Sequence, residues 1–412
     1  MNLLYNLLLF KASIILPLIA LFNKKIRLFV NGRKETFSKL NSITSFDKVI
    51  WFHAASLGEF EQGRPIIEEL KKQYVNHKIV VTFFSPSGYE IRKNYKLADV
   101  VCYLPLDTKA NVRKFINKVH PEIAIIIKYE FWPNLLSELK KQEIHTILIS
   151  GIFRKKQSFF KWYGSFTRKK LKAFNHFFVQ NEISKQLLSS INLNNSTIAG
   201  DTRFDRVYDI LKQDNSIDFI SEFQNNHYTV VAGSTWKEDE KLLVNYINNF
   251  ADDSEKFIIA PHNINEKQIL ELQKSIHKKS VLFSKKDNLN LSEYQVFIID
   301  AIGLLTKIYS YADVAYVGGG LATGLHNILE PATYGIPVVF GGNKYKKFNE
   351  ATDLLDLKSV TIVTNNEDFS SIFTALKNDK KLREQMGDTN HKYIKDNIGA
   401  TKAILNYIKN VL

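Results

Sequence analysis

VAYVGGGLATGLHNILEPATYGIPVVFG, residues 314–341, decides the fold. It opens on an apolar run, turns through Gly318, Gly319, Gly320 and Gly324, and closes on a second apolar run after Pro337. A helix is expected to start at His326 or Asn327 and to be ended by Pro331 and Gly335. Apolar run, glycine-rich turn, helix and apolar run make one βαβ unit of a parallel sheet. So many glycines let a backbone approach a phosphate closely, and a helix N-terminus offers it unpaired N–H groups. His326 and Glu330 are four residues apart and are expected on one helical face, with Glu330 reaching ribose hydroxyls while the loop holds phosphate.

The same rhythm extends in both directions. Upstream lie VIWFH (49–53), IVVTFF (79–84), VVCYL (100–104), IAIII (123–127), TILIS (146–150) and FFVQ (177–180). YTVVAG (228–233), FIIA (257–260) and VFIID (296–300) complete a second series. Residues 206–226 are polar and carry no strand-like run, so a linker is expected there. The expected order is an anchor at 1–27, a Rossmann-like domain at 28–205, the linker, a second Rossmann-like domain at 227–390, and a C-terminal helix at 391–412 that packs back on the first domain. Ligands of such sheets sit beyond the carboxyl ends of the strands, so the residues following each run are the candidates for chemistry.

Composition narrows the function classes. A length of 412 residues suits two domains, and 45% hydrophobic with 24% charged residues excludes a disordered chain. A formal net charge of +14 calls for an anionic partner, yet no nucleic-acid-binding motif accompanies it, so no nucleic acid is expected. Cys102 is the single cysteine, which excludes a disulfide framework and fits a cytoplasmic face. The first 22 residues, MNLLYNLLLFKASIILPLIALF, are largely apolar and are followed by Lys24, Lys25, Arg27, Arg33 and Lys34. That pattern is expected to be a membrane anchor, transmembrane or interfacial, with its basic residues at cytoplasmic headgroups; the alternative is a buried core helix.

Strand-end residues carry the candidate chemistry. After the first run, HAASLGEFEQG puts Ser56 and Gly58 in a tight turn and Glu59 at a helix start; the alternative use of Glu59 is simply to complement the helix dipole. KYEFWPN brings Glu130 to the same sheet edge, as a second acid–base carboxylate or as the partner of a basic residue. Arg154, in FRKKQSFFKWYG, lies among lysines and aromatics suited to phosphates beside acyl chains. Ser234 and Thr235, in AGSTWKEDE, are either helix N-caps or phosphate-binding hydroxyls. His262, just beyond FIIA, is placed with the ligand-binding candidates.

Taken together, HAASLGE, YEFWPN, GDTRFD, AGSTWKEDE, DAIGLLTKIYSYADVAYVGGGL, GLHNILEP and FGGNKYKKFNEA, behind an apolar N-terminus, resemble the Kdo (3-deoxy-D-manno-oct-2-ulosonic acid) transferase family. The resemblance implies an α/β GT-B fold of two Rossmann-like domains with parallel sheets facing a central cleft. It implies Glu59 as catalytic base, Glu130 as a second cleft carboxylate, and Gly324, His326, Asn327 and Glu330 on the nucleotide side, with Gly319 and Gly320 in the adjoining loop. Arg203 stands where the family usually has lysine; GLL at 303–305 and Leu325 also depart from the family pattern.

The implied reaction is inverting transfer of Kdo from CMP-Kdo to a phosphorylated lipid A precursor, at the inner membrane, in lipopolysaccharide biosynthesis. No Asp-x-Asp pair occurs, so no metal or other cofactor is expected, and backbone amides and basic side chains should neutralise the leaving phosphate. Two competing readings are a nucleotide-sugar epimerase on the same scaffold, which needs no anchor, and a membrane-bound sensor, which needs no cleft carboxylates.

Overall fold

The computed structural model describes residues 2–412. The chain divides into two compact units, residues 1–205 with 398–412, and residues 206–397.

In unit 1, β1 (Lys48–Ala54), β2 (His77–Phe83), β3 (Val100–Tyr103), β4 (Ile123–Ile127), β5 (His145–Gly151), β6 (His176–Val179) and β7 (Ser196–Ile198) form one sheet in the order β3-β2-β1-β4-β5-β6-β7. Every pairing is parallel. The central run IAIII is buried at all five positions because helices cover both faces, which is why the sequence shows continuous rather than alternating apolar runs. The edge strand β7 escapes that signal: it is three residues long and two of them are exposed.

Two helices precede this sheet, α1 (Asn2–Ile19) and α2 (Lys24–Lys34). No described residue of α1 is buried, and Leu3, Leu7, Phe10, Ile14 and Leu18 all face outward. Arg27 turns back to cap α1, its Nε donating to the carbonyl of Ala20 at 3.0 Å and its Nη2 to that of Leu21 at 2.8 Å. Arg33 departs from the expected basic cluster: its Nη2 donates to the Phe84 carbonyl at 2.7 Å and its guanidinium lies 3.5 Å from the centre of the Phe29 ring. Beyond β1 comes α3 (Leu57–Gln73), and beyond β4 comes α4 (Pro133–Lys141).

Unit 2 repeats the plan with β8 (Tyr228–Thr235), β9 (Glu255–Pro261), β10 (Ser280–Leu282), β11 (Val296–Ile298), β12 (Val314–Val317), β13 (Val338–Gly341) and β14 (Val360–Val363), ordered β10-β11-β9-β8-β12-β13-β14. The pairings are again parallel. The outermost strands β10 and β14, only three and four residues long, are absent from the sequence reading. Helices α5 (Lys237–Asn249), α6 (Leu329–Thr333) and α7 (Lys380–Asp396) follow β8, β12 and β14 respectively, α7 after an intervening helix.

Residues 206–226 are not a bare connector. They include the helix Asp218–Gln224, whose Ile220 and Phe223 are fully buried, so this segment is built into unit 2. The helix crossing residue 390 is α7, which continues to Asp396. The last helix, α8 (Ala400–Ile408), belongs to unit 1, with Ile404 and Ile408 in its core. The Asp205 carboxylate accepts the N–H groups of Gly399 at 2.5 Å and Thr401 at 2.7 Å, which fixes the start of that helix.

Candidate active site

In unit 1 the turn from β1 into α3 brings Glu59 back on itself. Its Oε2 accepts the Ala55 N–H at 2.5 Å, closing the turn. The Ser56 hydroxyl, at the N-cap, makes no capping bond. A Cβ at Gly58 would meet nothing within 4 Å, so this glycine keeps open space in front of the turn. Burial, then the neighbouring Glu130 charge, push the Glu59 carboxyl up to about 7 against the Ala55 amide, His53 and Lys128. A carboxylate with a pKa near neutrality is matched to proton abstraction at physiological pH.

Glu130 follows β4 after a left-handed turn at Lys128, φ 66°. Its Oε2 receives the indole N–H of Trp132 at 2.7 Å and lies 3.1 Å from Nε2 of the fully buried His53. On the other side of that ring, His53 Nδ1 is 2.9 Å from the Thr82 hydroxyl. Glu130 is thus held by two side chains, whereas Glu59 has a single backbone donor and is the less constrained of the two carboxylates.

In unit 2 the centre is aromatic. Trp236 Nε1 donates to Nε2 of His326 at 3.0 Å. His262 stacks on Trp236 at 4.9 Å and on His326 at 4.4 Å. An indole N–H only donates, so His326 Nε2 accepts and the neutral ring carries its proton on Nδ1. Burial and then His262 pull the His326 imidazole down to about 4, and burial lowers His262 as well.

Residues 30–206 match the family model described as 3-deoxy-D-manno-octulosonic-acid transferase (kdotransferase). The chain is 26% identical over 359 residues to the 3-deoxy-D-manno-octulosonic acid transferase of Chlamydia trachomatis serovar A, covering 84% of this chain and 82% of that protein. It is 27% identical over 403 residues to a bifunctional glycosyltransferase/methyltransferase of Fusobacterium nucleatum, covering 93% of this chain but 60% of that longer protein. The chain is thus similar to Kdo transferases over most of its length, and it is a glycosyltransferase. The fold is of the GT-B type: the UDP-GlcNAc 2-epimerase of Neisseria meningitidis, 17% identical, superposes with a TM-score of 0.60 over 88% of this chain and 100% of that one.

The remaining candidates of this glycosyltransferase fall into different surroundings. His326 does not lie on a helix. α6 starts at Leu329, and the backbone before it bonds to distant partners, Leu325 N–H to the Lys344 carbonyl at 3.4 Å and His326 N–H to that of Gly318 at 3.2 Å. The expected shared face with Glu330 is therefore absent. Glu330 instead accepts from Asn327 Nδ2 at 3.0 Å and from the Thr306 hydroxyl at 2.8 Å. Asn327, just before the helix, also bonds its first residue, its Oδ1 accepting the Leu329 N–H at 3.2 Å.

Close packing explains much of the glycine-rich loop. A Cβ on Gly318 would fall 2.4 Å from the Ser234 carbonyl oxygen, and one on Gly320 would fall 2.0 Å from that of Gly341. Gly319 and Gly324 adopt φ of 94° and 140°. The N–H groups of Gly318, Gly319, Ala322 and Gly324 all bond within the protein, so the loop offers fewer amides to a phosphate than its composition implies. Lys344 reaches over the same loop to the Ala322 carbonyl, and Lys347 Nζ lies 3.3 Å from where a Gly324 Cβ would stand.

Neither Ser234 nor Thr235 caps α5. The N-cap is Trp236, whose N–H donates to Asp239 at 2.9 Å. Thr235 is buried and donates to Glu240 at 3.1 Å, while Ser234 sits at a bulge with φ 54°. Arg154 is exposed, its Nη1 donating to the Tyr129 hydroxyl at 2.9 Å. Arg203 Nε and Nη2 both donate to Asp201 Oδ2, at 2.9 and 2.8 Å. Burial works against the Asp201 charge, but Arg203 overrides it and holds this carboxyl below its ordinary range. Asp201, His53, Trp236 and Asp239 were not singled out by sequence, because each also has a partner far along the chain: Gln62, whose amide donates to Asp201 at 3.0 Å, Glu130 for His53, His326 for Trp236 and Gly319 for Asp239.

Proposed function

We propose that this glycosyltransferase moves Kdo from CMP-Kdo to a phosphorylated lipid A precursor, on the cytoplasmic face of the inner membrane, in lipopolysaccharide biosynthesis. Glu59 carries the reading. It is a half-buried carboxylate, pushed to about 7, at the carboxyl end of β1 and beside a second carboxylate. Glu59 removes the proton of the acceptor hydroxyl as that oxygen forms its bond to the anomeric carbon, and the bond from that carbon to the CMP phosphate breaks with its electrons on CMP. Glu130 orients the acceptor.

Unit 2 supplies the donor side in this reading. His326 Nδ1–H and the Lys344 and Lys347 ammonium groups stabilise the charge that gathers on the leaving phosphate, and Glu330 takes ribose hydroxyls. Supporting a lipid acceptor, α1 is 18 residues long, largely apolar and without a buried residue, long enough for the hydrocarbon core or for an interfacial seat. The exposed Trp162 and Tyr163, among Arg154, Lys155, Lys156 and Lys161, suit anionic headgroups.

The test is direct. The purified protein with CMP-Kdo and lipid A precursor should give a product heavier by one or more Kdo units, together with free CMP. Intact lipid, with CMP-Kdo lost only to hydrolysis or not at all, would refute the assignment.

A further inference from the structure

Several polar side chains of the N-terminal helices touch the rest of unit 1, and two of these contacts lead to Glu130. Tyr5, on the otherwise lipid-like α1, donates its hydroxyl to Asp107 Oδ2 at 2.7 Å. The next residue, Asn6, accepts from Asn134 Nδ2 at 2.8 Å. Asp107 is a buried carboxylate; its Oδ2 also accepts the Asn134 N–H at 2.9 Å and its Oδ1 the Leu135 N–H at 2.8 Å. Asp107 is thus the anion that closes the first turn of α4. That helix begins at Pro133, whose ring fixes the backbone directly after Trp132, and Trp132 holds Glu130.

The second route starts from α2. Arg33 is clamped between Phe29 and Phe84, and its Nη2 bonds the Phe84 carbonyl. The Phe84 ring stacks on Trp132 at 4.6 Å and 27°. One side of Trp132 is therefore set by Arg33 through Phe84, and its backbone is set by Tyr5 through Asp107 and α4. Both routes end on the indole whose N–H holds Glu130.

We infer that Tyr5 and Arg33 are positioning residues for Glu130, so that full turnover requires α1 and α2 docked on unit 1, independently of whether they attach the protein to a membrane. This rests on the reading of Glu130 as a site carboxylate. An anchor alone would need none of these contacts: most apolar residues of α1 are exposed, whereas Tyr5 and Asn6 are spent on bonds to Asp107 and Asn134.

The experiment uses the full-length protein in detergent micelles with CMP-Kdo and lipid A precursor. It compares Tyr5→Phe, Arg33→Met and Arg33→Lys with the exposed-face control Leu8→Ala. Membrane sedimentation, kcat, KM for each substrate, the melting temperature and the acidic limb of the pH–rate profile are measured. That limb reports Glu59, whose charged and titratable neighbours are Glu130, His53, Lys128 and Tyr129.

Tyr5→Phe and Arg33→Met should sediment with membranes like wild type and keep KM for CMP-Kdo. They should lose about 10- to 100-fold in kcat, the scale of a misplaced site group, and shift the acidic limb. Arg33→Lys should restore part of the rate, and Leu8→Ala should change none of these readouts. Native kcat and an unmoved limb in both Tyr5→Phe and Arg33→Met would overturn the inference, as would rate losses that merely follow the melting temperature. If Glu130→Gln itself turns over at the native rate, the reading of Glu130 fails instead, and that outcome is separately visible.

Discussion

The indole N–H of Trp236 donates to Nε2 of His326 at 3.0 Å, although the two residues are 90 positions apart. This bond fixes the imidazole as the neutral tautomer with its proton on Nδ1, since protonating Nε2 would set two donors against each other. Trp236→Phe should free the tautomer and weaken CMP binding by roughly 1 kcal/mol, about the net worth of one hydrogen bond. Nitrogen-15 spectra of histidine-labelled protein should show the Nδ1–H pattern for His326 in wild type and a mixture in the mutant. An Nε2–H pattern in wild type would contradict the assigned tautomer.

Glu59→Gln should lower turnover by roughly 100-fold or more while both substrates still bind, because the amide keeps the shape but cannot take a proton. The wild-type rate should rise with pH through about 7, as Glu59 ionises, and that limb should vanish in the mutant. Near-native turnover in Glu59→Gln, with Glu130→Gln inactive, would transfer the role to Glu130.

The same shift has a stability consequence. The Glu59 carboxyl is raised in the folded state from an ordinary 4.5, so the native protein binds a proton more tightly than the unfolded chain. The resulting penalty is absent below about 4.5, grows as pH rises, and is complete above about 7. Glu59→Gln should therefore melt higher than wild type at pH 8 and no higher at pH 4. Equal melting differences at both values would exclude a raised Glu59.

Asp239 is fully buried and takes three donors: the N–H groups of Trp236 and Gly319, each at 2.9 Å, and the Tyr316 hydroxyl at 2.7 Å. Asp239→Ala leaves all three unpaired and should destabilise unit 2 by at least about 2 kcal/mol. Denaturant unfolding of the protein measures this, and a change under about 0.5 kcal/mol would mean that the loop does not depend on Asp239.

Glu330→Ala should weaken CMP binding by roughly 1 to 3 kcal/mol if the carboxylate holds ribose hydroxyls. Thr306→Val removes one of the two internal donors to Glu330, leaving the Asn327 amide, and should leave CMP affinity closer to wild type. Calorimetry showing unchanged affinity in a folded Glu330→Ala protein removes this residue from the donor site.

Deleting residues 1–22 should release the protein from sedimenting membranes while unit 2 still binds CMP. A truncated chain that stays with the membrane would place the attachment elsewhere, with Trp162 and Tyr163 the next residues to replace.

By itself the sequence determined what repeats along the chain. Runs such as IAIII announce strands buried on both faces, hence a parallel sheet, and the exposed α1 is legible because most of its 18 residues are apolar. Glu59 and Glu130 are found at sheet edges because each directly follows such a run or its turn. Tertiary structure alone decided what depends on partners distant in sequence. Arg33 faces an aromatic cage rather than headgroups because Phe84 lies within its reach, and His326 stays out of α6 because the carbonyls of Lys344 and Gly318 claim the N–H groups of Leu325 and His326. The short edge strands β7, β10 and β14 exist because a neighbouring strand offers its free hydrogen-bonding edge, a feature no three- or four-residue run carries in itself. Local pattern fixes the elements, whereas side-chain pairing is set only once packing has brought those elements together.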